Sequence, residues 1–149
     1  MSLLKIAIDP GWKGAIAMQD GHKTWFYDCP GTQNEIIVLL REIVQNARNE
    51  DLRIEAIIEK VHSMPGMNCA ATWKFAVNFS TWQSAMIAFK VPFIEVLPKR
   101  WMKIFGQLPR DKTERKNAIK DAIQKLYPDI RVTLKNADVL AMLSIWDKL

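Results

Sequence analysis

The chain has 149 residues, 49% of them hydrophobic and 25% charged, and carries a net charge of +5. That size and balance fit one soluble globular domain over residues 1–149, and no apolar run is long enough to span a bilayer. The N-terminal apolar run ends at Asp9 with no cleavage site after it, so a signal peptide is not expected and a cytoplasmic location is.

Residues 3–9 read as a strand buried on both faces. Pro10-Gly11 and Gly14 turn the chain, and residues 15–18 return as a second strand. Asp20-Gly21 is a hairpin signal. Residues 24–27, rich in aromatics, form a third strand. A helix is predicted from 33 to about 49, capped by Thr32 with Glu35 as its reciprocal partner. Its apolar stripe is Ile36, Leu39, Leu40, Ile43 and Val44. Residues 53–59 form a fourth strand, which after a helical crossover can lie parallel to the first and bring Glu59 beside Asp9.

Residues 61–68 read as a loop around Pro65-Gly66. A long helix follows from about 70 to 89, with Trp73, Val77, Thr81, Ile87 and Ala88 on its buried side. Residues 93–96 read as a fifth strand, 98–105 as a short helix and 106–110 as a connector. Asp111 caps the next helix, with Glu114 completing a capping box. Ala118, Ile119, Ala122, Ile123 and Leu126 form its inner face, and Tyr127-Pro128 stops it. The last helix spans about 137–148, capped by Asn136. The order predicts one mixed α/β sheet, three antiparallel strands followed by two parallel ones, with helices on both faces.

Three carboxylates stand at ends of these elements: Asp9, Glu59 and Asp138. Acids converging from such positions need a cation, and an all-oxygen donor set suits Mg²⁺ or Mn²⁺. Zinc is not expected: Cys29 and Cys69 read as ordinary free thiols, and neither His22 nor His62 is near a second strong ligand. The positive charge is local. Between Lys99 and Lys125 nine basic residues face three acids, a net +6, whereas the rest of the chain sums to −1. Such a band is either a surface that meets a polyanion or a lysine-rich solvated helix face.

Together, Ile8-Asp9-Pro10-Gly11 with Gly14, Ile57-Ile58-Glu59-Lys60-Val61, and Asn136-Ala137-Asp138-Val139-Leu140-Ala141 resemble the ribonuclease-H-like superfamily. Within it, the chain is most similar to the RuvC-type Holliday junction resolvases, including the short versions encoded by phages. The resemblance covers most of the chain in order and spacing. It implies a five-stranded ribonuclease-H-like sheet and a homodimeric endonuclease that cuts four-way or related branched DNA in a bacterial or phage-infected cell. It also implies two Mg²⁺ or Mn²⁺ ions per active site and no small-molecule cofactor.

By the same resemblance Asp9 touches both metals, and Glu59 and Asp138 complete their shells. Lys103 and Lys112 match lysines near the scissile phosphate, with Lys112 placed among the catalytic groups and Arg110 able to take its role. His62 stands where the family often has a junction-wedging phenylalanine. Lys99, Arg100, Arg115 and Lys116 complete the expected DNA-binding set. The chain departs from the family at Lys135, where the cellular enzymes carry a fourth acid. That lysine opposes a metal pair unless it points away, and it motivates an alternative: a branched-DNA-binding protein with weak or no cleavage. A small-molecule phosphotransferase, suggested by the Asp9-Pro10-Gly11 turn, needs a second lobe that 149 residues cannot supply.

Overall fold

The computed structural model describes residues 1–149 apart from His22 and Met64, so the expectation for His22 falls outside it. Five strands form one sheet: β1 (Leu3–Asp9), β2 (Ala15–Asp20), β3 (Lys23–Asp28), β4 (Arg53–Glu59) and β5 (Phe93–Val96). Their order across the sheet is β3-β2-β1-β4-β5. The first three are antiparallel, and β4 and β5 continue parallel to β1. This is the expected five-stranded mixed sheet.

Helix α1 (Gln33–Asn49) connects β3 to β4 and α2 (Cys69–Ala88) connects β4 to β5. Both cover one face of the sheet. The other face carries α3 (Pro98–Met102), α4 (Lys112–Leu126) and α5 (Ala137–Ser144). Among the described residues no helix is long and apolar enough to cross a membrane.

Strand alternation divides the core. Leu4, Ile6 and Ile8 of β1, Ile16 and Met18 of β2, and Ile54, Ala56 and Ile58 of β4 point toward α1 and α2. Ala7, Ala15, Ala17 and Ile57 point the other way, toward α5. The contrast in size has a consequence. Alanines on the sheet meet Ala137 and Ala141 on α5, so that helix lies close against β1 and β2. Its first turn is thereby brought to the end of β1.

Helix α1 begins with the expected capping box: the Thr32 hydroxyl accepts from Glu35 N–H, and the Glu35 carboxylate accepts from Thr32 N–H. Helix α2 meets expectation at Thr81 and differs on most of its face. It buries Asn78, Thr81, Trp82, Ala85 and Met86, while Trp73 and Ile87 stand exposed. On α4, Ile119 and Ile123 are buried but Leu126 is exposed. The short helix predicted over 98–105 is α3 followed by a 3-10 turn, and the last helix likewise ends at Ser144 before a 3-10 turn at Trp146–Lys148.

Asn136 is buried but does not cap α5 through its side chain. Its Oδ1 accepts from Thr133 N–H and its amide donates to the Arg131 carbonyl, so it shapes the preceding loop instead.

Gly14 is the tightest point of the β1–β2 connection. A Cβ there would sit 1.8 Å from the Asp9 carbonyl oxygen, a backbone atom that cannot swing aside. Gly14→Ala is therefore expected to cost about 3 kcal/mol or more and to lower Tm by roughly 10 °C for a chain of this size. Gly31→Ala, where added bulk meets nothing within 4 Å, serves as the control in the same melts. Equal Tm values for the two variants would refute this account of the turn.

Candidate metal-binding active site

The period-two rule of strands settles where the acids go. Asp9 follows Ala7 on β1 and Glu59 follows Ile57 on β4, so both project on the α5 face. The parallel register pairs Ile8 with Ile58, which sets Asp9 and Glu59 side by side one step later, at the carboxyl ends of both strands. Open α/β sheets offer their binding crevice at that edge. Asp138 arrives in the first turn of α5. The three acids, from separate elements, lie within electrostatic reach of one another.

Their protonation reflects the crowding. Burial, followed by the charges of Glu59 and Asp138, holds the Asp9 carboxyl well above the usual carboxylate range. Burial first and then Asp138 push Glu59 up to about 7, against the pull of a hydrogen bond in which Trp101 Nε1–H donates to Glu59 Oε2 at 2.8 Å. Burial also raises Asp138. Lys116, on α4, counters part of the effect at both Asp9 and Asp138. Once ionised, the three acids carry more negative charge than Lys116 offsets.

An all-oxygen donor set short of positive charge matches a hard divalent cation such as Mg²⁺ or Mn²⁺. The donor chemistry thus fits the expected metal. Among the described residues, however, no three His, Cys, Asp or Glu side chains are gathered tightly enough to form a ready-made cage.

The basic band splits into parts. Lys116, grouped at first only with the DNA-binding residues, is the lysine whose charge reaches the acids. Lys112 lies one turn earlier, at the exposed start of α4. Arg115 donates to the Arg110 carbonyl at 3.0 Å, which ties the connector to that helix. Arg100 donates to the Leu149 carbonyl. Lys99, Lys103 and Arg110 are exposed.

Lys135 Nζ lies 3.1 Å from Asp28 Oδ2 at the end of β3. Its charge is thereby paired with a carboxylate two strands from Asp9. His62 is exposed and lines a cavity of about 130 Å³ with Ser63, Thr72, Phe75 and Phe79, beside the β4–α2 loop.

Sequence reasoning missed three contributions. The Trp101–Glu59 hydrogen bond joins residues 42 apart. Trp12, in the turn just after Asp9, is 69% exposed with Lys74 Nζ 5.5 Å from its ring. Asn78, buried on α2, accepts from Gly11 N–H at 2.9 Å. Only the polar Asn78 in an otherwise apolar stretch gave any local signal.

No protein-family model matches the chain, and no curated protein matches it. Solved structures do. One titled as Thermus thermophilus RuvC superposes with a TM-score of 0.60 at 11% identity, covering 97% of this chain and 96% of that one. A second, T. thermophilus RuvC in complex with a Holliday junction substrate, gives a TM-score of 0.54 at 14% identity over 93% of this chain and 88% of that one. Both of these structural neighbours are RuvC structures, and the fold of this chain is their ribonuclease-H-like fold.

Proposed function

We propose that the protein is a divalent-metal-dependent endonuclease that hydrolyses phosphodiesters in branched DNA, four-way junctions foremost, and that it works in the cytoplasm as a homodimer. The observation that carries this is the convergence of Asp9, Glu59 and Asp138 at the carboxyl ends of β1 and β4, with their charge deficit. The basic window 99–125 adds to it, because it belongs to the same face of the sheet as the acids. The RuvC likeness supports the substrate class, one such structure being a junction complex.

Asp9, Glu59 and Asp138 would hold the metal. When bound, two such ions lower the pKa of the attacking water and stabilise charge on the attacking and leaving oxygens. Carboxylates that repel one another relax apart without a cation, so a closed cage belongs to the loaded site. Trp101 fixes the rotamer of Glu59 through its 2.8 Å hydrogen bond. Lys116 offsets charge near Asp9 and Asp138 without joining their shell, and it is placed to meet a neighbouring phosphate. Lys99, Arg100, Lys103, Arg110, Lys112 and Arg115 extend that cationic surface outward, where phosphate contacts position DNA without reading its sequence. His62 meets the strand at the branch. A homodimer presents two such sites to a symmetric junction.

The binding-only alternative was motivated by Lys135 in place of a fourth acid; the ion pair with Asp28 offsets the charge of that lysine but supplies no acid, so the two readings are separated by activity. Cleavage of synthetic four-way, three-way, flap and linear duplex DNA, with and without Mg²⁺ or Mn²⁺, tests the proposal. Metal-dependent nicking of the branched substrates is expected, the four-way junction fastest. Tight junction binding with no nick under any metal would replace the enzyme by the binder.

A further inference from the structure

The turn that carries Asp9 is gripped from behind by groups with no part in the proposed chemistry. Gly11 N–H donates to Asn78 Oδ1 at 2.9 Å. The Cys29 thiol, 3.9 Å away, donates weakly to the same oxygen. Cys29 N–H donates to the Gly14 carbonyl at 3.1 Å, and Gly14 N–H donates to the Gly11 carbonyl at 3.0 Å. The four residues close a ring of hydrogen bonds: Gly11, Asn78, Cys29, Gly14 and back to Gly11.

The ring is dry. Asn78 is 8% exposed and Cys29 is 7% exposed. Burial pushes the Cys29 thiol up, which keeps it a donor at neutral pH. Phe75, one turn before Asn78 on α2, closes the remaining side: its ring edge lies 2.7 Å from where a Gly11 Cβ would stand. Gly11 has φ +106°, a conformation side chains rarely adopt, so the turn is held in one particular shape.

We infer that Asn78 is a positioning residue for Asp9, and that the Asn78–Cys29 ring transmits the placement of α2 to the carboxylate at the end of β1. The inference rests on the reading of Asp9 as a metal-holding acid. A buried amide in mid-helix is costly unless it is satisfied. Here its acceptor is spent on the one backbone N–H that lies two residues beyond Asp9. Nothing in the helix itself requires it, and an apolar residue there would leave Gly11 N–H unpaired. The sheet ladder holds Asp9 only through its own backbone; beyond it, the direction of the chain is set by this ring and by the Gly14 approach to the Asp9 carbonyl.

Three variants and four readouts decide it. Asn78→Ala removes the acceptor, Asn78→Asp keeps its shape and position, and Met86→Ala weakens the same helix in the core away from the turn. Asn78→Ala is expected to lose about 10²-fold in kcat on a four-way junction, the scale of a roughly 1 Å misplacement. Its KM for DNA stays within threefold. Its affinity for Mn²⁺, titrated without DNA, falls about tenfold, in the range for loss of a group that orients a metal ligand. The Gly11 amide exchanges faster with solvent. Asn78→Asp recovers the rate to within tenfold of wild type. Met86→Ala, however much its Tm drops, keeps kcat within threefold at a temperature where it is folded.

Wild-type kcat, Mn²⁺ affinity and Gly11 protection in Asn78→Ala would overturn the inference, as would an equal loss of kcat in Met86→Ala. If the wild-type protein cuts none of the substrates, the proposed function falls on its own. Mn²⁺ affinity and Gly11 exchange then still decide for or against Asn78.

Discussion

Asp9→Asn is expected to abolish junction cutting and, in the same metal-free preparation, to melt several degrees above the wild type. The two effects have one cause. Asp9 is half-buried between two other acids, and burial together with their repulsion works against its charge. An amide of the same shape removes that charge without opening a cavity. The gain is expected to grow as the pH is raised and the wild-type carboxylates ionise, and it should appear as a rise of roughly 5 °C.

The same substitution takes away one of the three acids proposed to hold the metal. Junction cleavage should fall at least about a thousandfold, beyond the roughly 10- to 100-fold that loss of an outer partner costs. Junction binding should change little, since the phosphates are met by the basic band. Thermal melts in chelator and single-turnover cleavage in Mg²⁺ check the pair. A variant that melts lower and still cuts would show that Asp9 is an ordinary turn residue. Opposite signs for stability and activity are what a site built for a cation produces, because the protein carries the repulsion until the ion arrives.

The acids were legible because each is tied to a strand or helix end that the sequence marks. Alternation along 3–9 and 53–59 also implied a shared face for Asp9 and Glu59, given a parallel pairing, and the register bears that out. Helix α2 was misread for a physical reason. Its 20 residues are apolar on nearly every side, so a pattern of large apolar residues cannot point to the core. The packed stripe runs through Asn78, Thr81, Trp82, Ala85 and Met86, and Trp73 falls outside it.

Lys116 was overlooked although helical spacing offers it: it stands three and seven residues before the buried Ile119 and Ile123, on the same side of α4. The Lys135–Asp28 pair and the Trp101–Glu59 bond join residues far apart in the chain. Such contacts are products of the fold and are not encoded in any window.

The metal-free protein should lose stability as pH rises from about 4.5 to about 7, the reverse of the usual acid limb. Glu59 shifts from an ordinary value of 4.5 to about 7 in the folded chain. Between those two values the folded state holds a proton that the unfolded chain has released, so raising the pH favours unfolding. The contribution of Glu59 is complete below about 4.5, is lost through the interval, and is level above about 7.

Over that span it amounts to roughly 3 kcal/mol, and Asp9, raised for the same reasons, adds loss of the same sign. Glu59→Gln, which keeps an oxygen for Trp101 Nε1–H, should flatten the profile over this interval and exceed the wild type in Tm at pH 8. Mg²⁺ should do the same for the wild type by a different route. Bound only to the folded state, it adds about 2.7 kcal/mol at a hundred times its Kd. Protons compete for the same oxygens, so the Mg²⁺-induced rise in Tm should be larger at pH 8 than at pH 5. Melts from pH 4.5 to 8 in chelator and in Mg²⁺ measure both. If Glu59→Gln tracks the wild type at every pH, the carboxylate carries no such strain and the cation has nothing to relieve.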